Sequence, residues 1–478
     1  MLAYRDLREW IQAVDKIGEL RYAEGADWRS ELGTITDVAL HKFKSPAIVF
    51  RKIKDYEGGG RILVNHFGSP GRLGLTLGIL PSESKTTMVD EWRKKLKGFR
   101  PIPSKTVATG PIKENIFRDK EVNLLKLPVP HWHGLDGGRY LGTGCLVITR
   151  DPDSGWVNVG TYRVMVHDKS SLASYIELGR HGRIHRDKYL KNNKPFPVAI
   201  VFGCDPAILL FSQISVPYGI SEYEYAGGLR GEPIEVIEGD YTGLPIPASA
   251  EIVVEGECIP GETKMEGPFG EWPGYYSSGA REEPVMRVKV LMHRNDPIIN
   301  GWPPVRPPSN TNYLRAITKS ANVWDALEEA GVPDVKRVWC HEVGANWLFH
   351  VISIKQRYPG HAKQAALIAS QCRETVSTGR FIITVDDDID AANLEEVVWA
   401  MCTRCDPERQ IDIVRRCLSS PIDPAFNKKG LEPHRDLSSR AIIDACKPFE
   451  WIENFPPMIQ VDPQEKKEVE KKWEKLFK

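Results

Sequence analysis

The first twenty residues carry a helical period. Leu7, Trp10, Ile11, Val14, Ile17 and Leu20 recur three or four apart, with Asp6 placed to cap the start and Gly18 weakening the end. Short apolar runs at 47–50 (AIVF) and 62–64 (ILV), bounded by Gly and Pro, read as strands, and 88–97 reads as a helix. These elements predict an N-terminal α/β region over residues 1–115. The texture then changes. CLVITR, WVNVGTYRVMV, PVAIVFG, AILLF, AEIVVEGE and VMRVKVLM are short, rich in β-branched residues and cut by Gly, Pro and Asp. They predict a β-rich domain, barrel or sandwich, over 116–305, ending in the proline-dense GWPPVRPPSN at 301–310. Helices at 323–330, 361–372 and 394–405 then alternate with strands in VKRVWC, WLFHVISI and FIITV, a second α/β region over 306–460. Val469, Trp473 and Leu476 form a narrow stripe on a charged C-terminal helix, 461–478, either solvated or docked on a neighbouring subunit. The fold class expected is mixed α/β (α+β).

Composition narrows the function. The 478 residues suffice for roughly two to four domains. Lys and Arg number 64, as do Asp and Glu, so no charge imbalance points to nucleic acid. No apolar run reaches the ~18 residues of a membrane helix, and the start lacks a signal pattern. Nine cysteines, scattered through a long chain, fit reduced thiols in cytoplasm better than a disulfide framework. With 40 glycines and 35 prolines the fold is turn-rich rather than a helix bundle.

Four stretches of the β-rich region carry an unusual polar load: WVNVGTYRVMVHD, LGRHGRIH, SQISVPYGISEYEYAGGLRGEP and EGPFGEWPGYY. Buried strands do not hold Asn, Arg and paired Glu unless something satisfies them. Asn158, His181 and Glu222 offer a carbonyl, an imidazole and a carboxylate, a mixed set that suits Mn, Mg or ferrous iron; the alternative is a structural histidine with unrelated neighbours. Glu266 and Glu271 flank a Gly-Pro-Phe-Gly turn that can aim both into one pocket, where one carboxyl would hold its proton near neutral pH. Arg163 can clamp a substrate carboxylate, and a clamp beside a proton donor suits gain or loss of CO2. The alternative is a structural Arg163–Glu266 pair with Glu271 on the surface. Asn158 and Arg163, five apart, face opposite sides of a straight strand, so their convergence requires a bulge at Gly160. Other polar groupings read as structural: the acidic run at 386–388 as a turn cap, His131 and His133 as a loop, and Cys402 and Cys405 as a helical pair without partners. The Trp and Tyr residues around 272–276 are either core or the wall of an aromatic pocket.

In order and spacing, NVGTYR at 158–163, SEYEYAGGLRGEP at 221–233, AEIVVEGE at 250–257, EGPFGE at 266–271, WAMCTRCDPER at 399–409 and SSRAIIDACKP at 438–448 resemble the UbiD family of reversible decarboxylases. The resemblance spans essentially the whole chain. It implies a central flavin-binding split β-barrel between α/β regions. It also implies prenylated FMN as cofactor, a divalent metal (Mn2+, Mg2+ or Fe2+) and K+. Asn158, His181 and Glu222 fall on the family's metal-ligand positions, and Arg163, Glu266 and Glu271 on its catalytic network. There Arg163 seats the carboxylate, Glu271 delivers the proton and Glu266 tunes both. Arg440 falls where several members have a Lys near the cofactor phosphate. Ser212 is expected at the phosphate and potassium site, and Thr161 and Arg180 along the cofactor. The implied substrate is an aromatic, heteroaromatic or α,β-unsaturated carboxylic acid, with CO2 as the other product. The implied partners are a flavin prenyltransferase that supplies the cofactor and further copies of the chain, as dimer or hexamer in the cytoplasm. Two other functions stay open at this point: a non-catalytic flavin-binding or assembly subunit, and a metal-dependent hydrolase.

Overall fold

The computed structural model describes residues 2–42, 45–56, 59–82, 84–214, 216–309, 312–420, 422–425 and 437–477. Position 310 of the proline-dense stretch and position 478 of the last helix lie outside them. The first helix is Leu7–Lys16, capped by Asp6, whose carboxylate accepts the Glu9 N–H at 2.9 Å; Leu7, Trp10, Ile11 and Val14 are buried as the period requires. It packs on a four-stranded sheet in the order Leu20–Glu24, Ala47–Arg51, Arg61–Val64, Ile298–Gly301. The last of these comes from far along the chain and lies parallel to Arg61–Val64.

The middle of the chain forms a nine-stranded sheet curved into a half-barrel. Its order is Arg139–Gly142, Val164–Val166, Ser171–Ser174, Arg281–His293, Ile252–Glu266, Phe196–Val201, Leu146–Arg150, Val157–Gly160, with Asn115–Arg118 also paired to Arg281–His293; every pairing is antiparallel. Both faces are covered. Along Phe196–Val201, Ala199 and Val201 face the core shared with the C-terminal region, while Val198 and Ile200 face the second core with Trp132 and Tyr140. That two-sided burial is why these runs read as continuously apolar.

The strand order has a geometric consequence. Val157–Gly160 is one edge of the sheet, and the next strand, Val164–Val166, lies one place in from the other edge. Only Thr161, Tyr162 and Arg163 join them. Because residues span at most about 3.6 Å each, the two margins must curl close together, and these three side chains sit on the seam.

Three segments of the middle region are helices rather than strand or loop. AILLF belongs to helix Pro206–Phe211, whose N-cap Asp205 accepts the Ala207 N–H and whose first residue is Pro. An Asp-Pro start outweighs the β-propensity of an apolar run that is buried on all sides. His181–Lys191 and Glu222–Arg230 are also helical.

The C-terminal region follows the predicted alternation. Helix Asn312–Glu329 begins well before the expected 323, and the five-stranded sheet runs Val335–Cys340, Phe349–Ile354, Phe381–Asp386, Leu437–Asp444, Ile411–Leu418. Near the C-terminal end, helix Pro463–Lys472 is capped by Asp462 and leaves Val469 and, just beyond it, Trp473 exposed, and a short helix Glu474–Phe477 follows. Among the described residues no helix is long and apolar enough to cross a membrane.

Candidate active site

The seam opens on a cavity of about 450 Å³. Asn158 and Arg163 both line it, by a route other than a bulged strand. The strand ends at Gly160 and a new one, with different partners, starts at Val164, so strict alternation never applies between them. Tyr162 fills the break. A Cβ on Gly160 would lie 2.5 Å from its Oη and one on Gly182 2.8 Å from its ring, so a side chain at either position would displace the Tyr162 ring. Tyr162 Oη accepts the Gly182 N–H at 3.3 Å, which docks the start of helix His181–Lys191 against the seam.

Arg163 holds both carboxylates. Its Nε and Nη2 donate to Glu266 Oε1 and Oε2 at 2.8 and 2.7 Å, and its Nη1 donates to Glu271 Oε1 and, at 3.1 Å, to Ser278 Oγ. Glu266 ends the long strand and is fully buried behind the guanidinium, where Tyr140 Oη donates to it at 2.9 Å. Glu271 lies beyond the Gly-Pro-Phe-Gly turn and lines the cavity, so it is not a surface residue. Its own backbone closes a second turn, its N–H donating to Tyr275 O at 2.9 Å. Burial works against the Arg163 charge, and the two carboxylates outweigh it, holding the guanidinium above its usual value. Burial raises Glu271 above the ordinary carboxylate range, with the Arg163 charge opposing.

The turn between the two carboxylates is fixed from outside. Gly137 N–H donates to Pro268 O at 2.7 Å, and a Cβ on Gly137 would lie 1.9 Å from Gly267 O. Gly137→Ala is therefore expected to destabilise the fold by about 1–3 kcal/mol through overpacking. It should also lower turnover by displacing Glu266 and Glu271, as thermal unfolding and initial rates would register.

Asn158, His181 and Glu222 line the same cavity. Glu222 opens helix Glu222–Arg230 and its Oε2 accepts the Val159 N–H at 2.6 Å, which ties it to the strand bearing Asn158. Burial pushes Glu222 up to about 8, the Val159 bond opposing. Asn158 Nδ2 is buried without a partner among the described residues. His181 is the first residue of its helix, walled by Trp156 at 4.9 Å and Tyr218 at 5.5 Å between ring centroids. A buried carboxylate with no cation partner among the described residues, beside an unsatisfied carboxamide and an imidazole, is a donor set that a divalent metal would complete. Thr161 Oγ1 and Ser212 Oγ are 2.7 Å apart on the same wall, and Arg180, paired with Glu177 at 3.3 Å, lines it too.

Arg440 is not brought here. It lies on the buried face of strand Leu437–Asp444 with Ser438 and Ile442, and donates to Val376 O at 3.0 Å and Leu418 O at 2.5 Å. Period-two alternation turns it away from the cavity, where main-chain carbonyls and Ser438 Oγ accept from its two terminal nitrogens. Two lining cations went unread in the sequence. Arg315, on helix Asn312–Glu329, donates to Gln213 Oε1 at 2.9 Å, and Arg373 donates to Val216 O at 3.2 Å. Neither belongs to a motif, and only the packing of the C-terminal region against the half-barrel shows them. Tyr175 was also missed; Arg163 Cζ lies 4.8 Å from its ring centroid. The acidic run at 386–388 serves an ion-pair network, Asp386 and Asp388 both bound to Arg404 at 2.9 and 2.8 Å. Among the described residues no group of three His, Cys, Asp or Glu side chains is placed to hold a metal.

Family models for the N-terminal, Rift-related and C-terminal domains of 3-octaprenyl-4-hydroxybenzoate carboxy-lyase match residues 11–96, 105–307 and 312–445. A phenolic acid decarboxylase of Sedimentibacter hydroxybenzoicus is 32% identical, over 99% of this chain and 98% of that protein. A pyrrole-2-carboxylic acid decarboxylase of Pseudomonas aeruginosa is 32% identical, over 93% and 92%. Among solved structures, the UbiD-class enzyme HmfF from Pelotomaculum thermopropionicum in complex with FMN superposes with a TM-score of 0.84 at 29% identity, covering 97% of this chain and 98% of that one. An evolved dimeric form of the same enzyme, in complex with prFMN, gives 0.81 at 28% identity, covering 97% and 98%.

Proposed function

The chain belongs to the UbiD family of carboxy-lyases, and from this we propose that it reversibly decarboxylates an aromatic, heteroaromatic or α,β-unsaturated carboxylic acid without net oxidation, on prenylated FMN held in the half-barrel. The observation that carries the reading is the single guanidinium, Arg163, shared by Glu266 and Glu271 on the wall of a cavity that also receives Asn158, His181 and Glu222. A degenerate subunit would have lost part of that set.

When bound, prenylated FMN supplies an electrophilic centre that takes up the electron pair left as CO2 departs. Asn158, His181 and Glu222 would hold Mn2+ or another divalent cation. Thr161, Ser212 and Arg180 would line the flavin, with K+ near Ser212, and Arg373 would meet its phosphate. The chain's own work is done by the three charged residues. Arg163 spends Nε and one Nη2 hydrogen on Glu266, and Nη1 on Glu271 and Ser278. When Glu271 takes a proton, the ion pair to Nη1 weakens and that edge turns to the substrate carboxylate as a fork. The same proton, on Glu271 Oε1, is then delivered to the carbon that has lost CO2. Glu266, fixed by Tyr140, keeps Arg163 oriented through both steps. The supply of cofactor by a flavin prenyltransferase and assembly with further copies of the chain belong to this proposal, and the exposed Val469, Trp473 and Leu476 support the second.

Protein made anaerobically with a flavin prenyltransferase, manganese and potassium tests the reading. Denaturing mass spectrometry should find prenylated FMN, and CO2 should be released from 4-hydroxybenzoate, pyrrole-2-carboxylate or cinnamate. Colourless protein without a flavin mass overturns it.

A further inference from the structure

The loop that carries His131 and His133 holds the turn at 267–274 from both ends. Gly137 N–H reaches Pro268 O, between the two glutamates. The second hold lies beyond Glu271 and uses a side chain. Tyr276 Oη donates to Asp136 Oδ1 at 3.0 Å, while Asp136 Oδ2 accepts the His133 N–H at 2.9 Å. Closing the turn at 133–136 needs only Oδ2, and the Asp136 N–H already donates to His133 O at 3.0 Å. Yet the whole carboxylate is buried, and among the described residues it has no Lys or Arg partner, only the His133 ring at 3.9 Å. A buried carboxylate needs its donors, and for Oδ1 that donor is the Tyr276 hydroxyl. Tyr276 itself does not line the cavity, but its chain neighbours reach the site. Tyr275 O accepts the Glu271 N–H at 2.9 Å, and Ser278 Oγ accepts from Arg163 Nη1 at 3.1 Å. Between them Ser277 Oγ donates to Ile422 O at 2.6 Å. Tyr276 thus anchors the segment between a residue that holds the proton donor and one that holds the clamp.

We propose that Asp136 is a positioning residue for the reaction: through Tyr276 it fixes Tyr275 O and Ser278 Oγ, and so holds Glu271 and Arg163 Nη1 in the arrangement that proton delivery requires. This rests on the decarboxylase reading and adds to it a residue outside the cavity. The lever is short. A shift of Tyr276 passes to the Tyr275 carbonyl across one rigid peptide plane, and to Ser278 two residues on. A misplacement of about 1 Å at a reacting group costs about 10²-fold in rate. In Asp136→Asn the amide oxygen can serve Tyr276 or the His133 N–H, while the amide nitrogen only donates, so one of the two bonds is lost.

The test uses holoenzyme, with flavin measured per chain. Tyr276→Phe keeps the ring and the turn at 133–136 and removes only the hydroxyl. It is expected to lower kcat per bound flavin by about 10–100-fold, the value of a hydrogen bond to a charged group. The solvent deuterium isotope effect on kcat should rise as proton delivery becomes the slow step, and flavin content should stay at the wild-type level. Asp136→Asn should act alike, and the double variant should be no slower than the slower single, because both changes remove one bond. Should Asp136→Asn fail to fold, Tyr276→Phe alone decides. Losses that multiply in the double variant overturn the proposal. So does an unchanged kcat in Tyr276→Phe, or a fall in kcat without the rise in isotope effect, since a merely structural contact would lower Tm alone. If wild type releases CO2 from no acid tried, the decarboxylase reading is what fails, and thermal unfolding still tests the positioning. Tyr276→Phe should then lower Tm less in an Arg163→Lys background, where one ammonium cannot hold Glu266, Glu271 and Ser278 together, than in wild type. Equal losses in the two backgrounds overturn it.

Discussion

In a Glu271→Gln variant, CO2 release and exchange of the product-carbon hydrogen with deuterated water are expected to fall by about 10³-fold, within the range for loss of a positioned general acid. Flavin and metal content should stay at the wild-type level, because Glu271 reaches the cavity from the turn at 267–274 and touches neither Asn158 nor Glu222. Glutamine keeps the size and can still accept from Arg163, so a fall in rate reports the proton rather than the packing. The wild-type pH profile has a definite sign. Burial raises Glu271 above the usual carboxylate range, and the acid form is the one that donates. Activity should therefore hold at low pH and decline as pH rises through the Glu271 pKa. Ionisation both removes the proton and re-forms the pair that occupies Arg163 Nη1. Full activity in Glu271→Gln would remove the role.

The second large effect concerns stability. Arg163→Met leaves Glu266, fully buried, and Glu271 without their shared cation. Breaking a buried pair from one side costs about 3–5 kcal/mol, because the remaining charge stays desolvated. With Arg163 gone, its opposing charge is lost and burial holds the folded-state Glu271 carboxyl further above its unfolded value of about 4.3. The folded state then binds protons more tightly than the unfolded chain, so the penalty is greatest at neutral pH and shrinks as pH falls towards that value. Thermal unfolding at two pH values checks this: the Tm deficit relative to wild type should be larger at pH 7.5 than at pH 5. Arg163→Lys should recover much of the stability but little of the activity, since an ammonium cannot present the fork that a carboxylate needs. A deficit that does not vary with pH would mean that packing, not charge, dominates the site.

The chemistry of the site was legible as residue types at fixed spacings. Paired Glu around a Gly-Pro-Phe-Gly turn and an Arg in a strand of valines are local anomalies, visible because buried strands rarely carry them. Helical periods such as Leu7 to Leu20 were equally plain, since one helix face records burial every three or four residues. What failed was local in another sense. AILLF looked like a strand because it is buried on every side, which erases periodicity, and the Asp205–Pro206 start was the signal that should have decided it. Helices His181–Lys191 and Glu222–Arg230 were hidden because polar side chains, His185 and Arg186 in one and Glu222 and Arg230 in the other, occupy buried positions that an apolar stripe would mark.

Arg440 and Arg315 mark the boundary between the two kinds of knowledge. Arg440 stands in a motif, yet strand alternation turns it away from the cavity. Arg315 stands in none, yet the packing of its helix against the half-barrel brings it to the cavity. By itself the sequence determined the mixed α/β composition and singled out Arg163, Glu266, Glu271, Asn158, His181 and Glu222 as candidates, because residue types and near neighbours in the chain are local. The tertiary structure alone decided that Asn158 and Arg163 share a cavity and which cations join them. Both depend on two sheet margins curling together across Thr161–Tyr162–Arg163, and strand order is set by long-range pairing that no local pattern encodes.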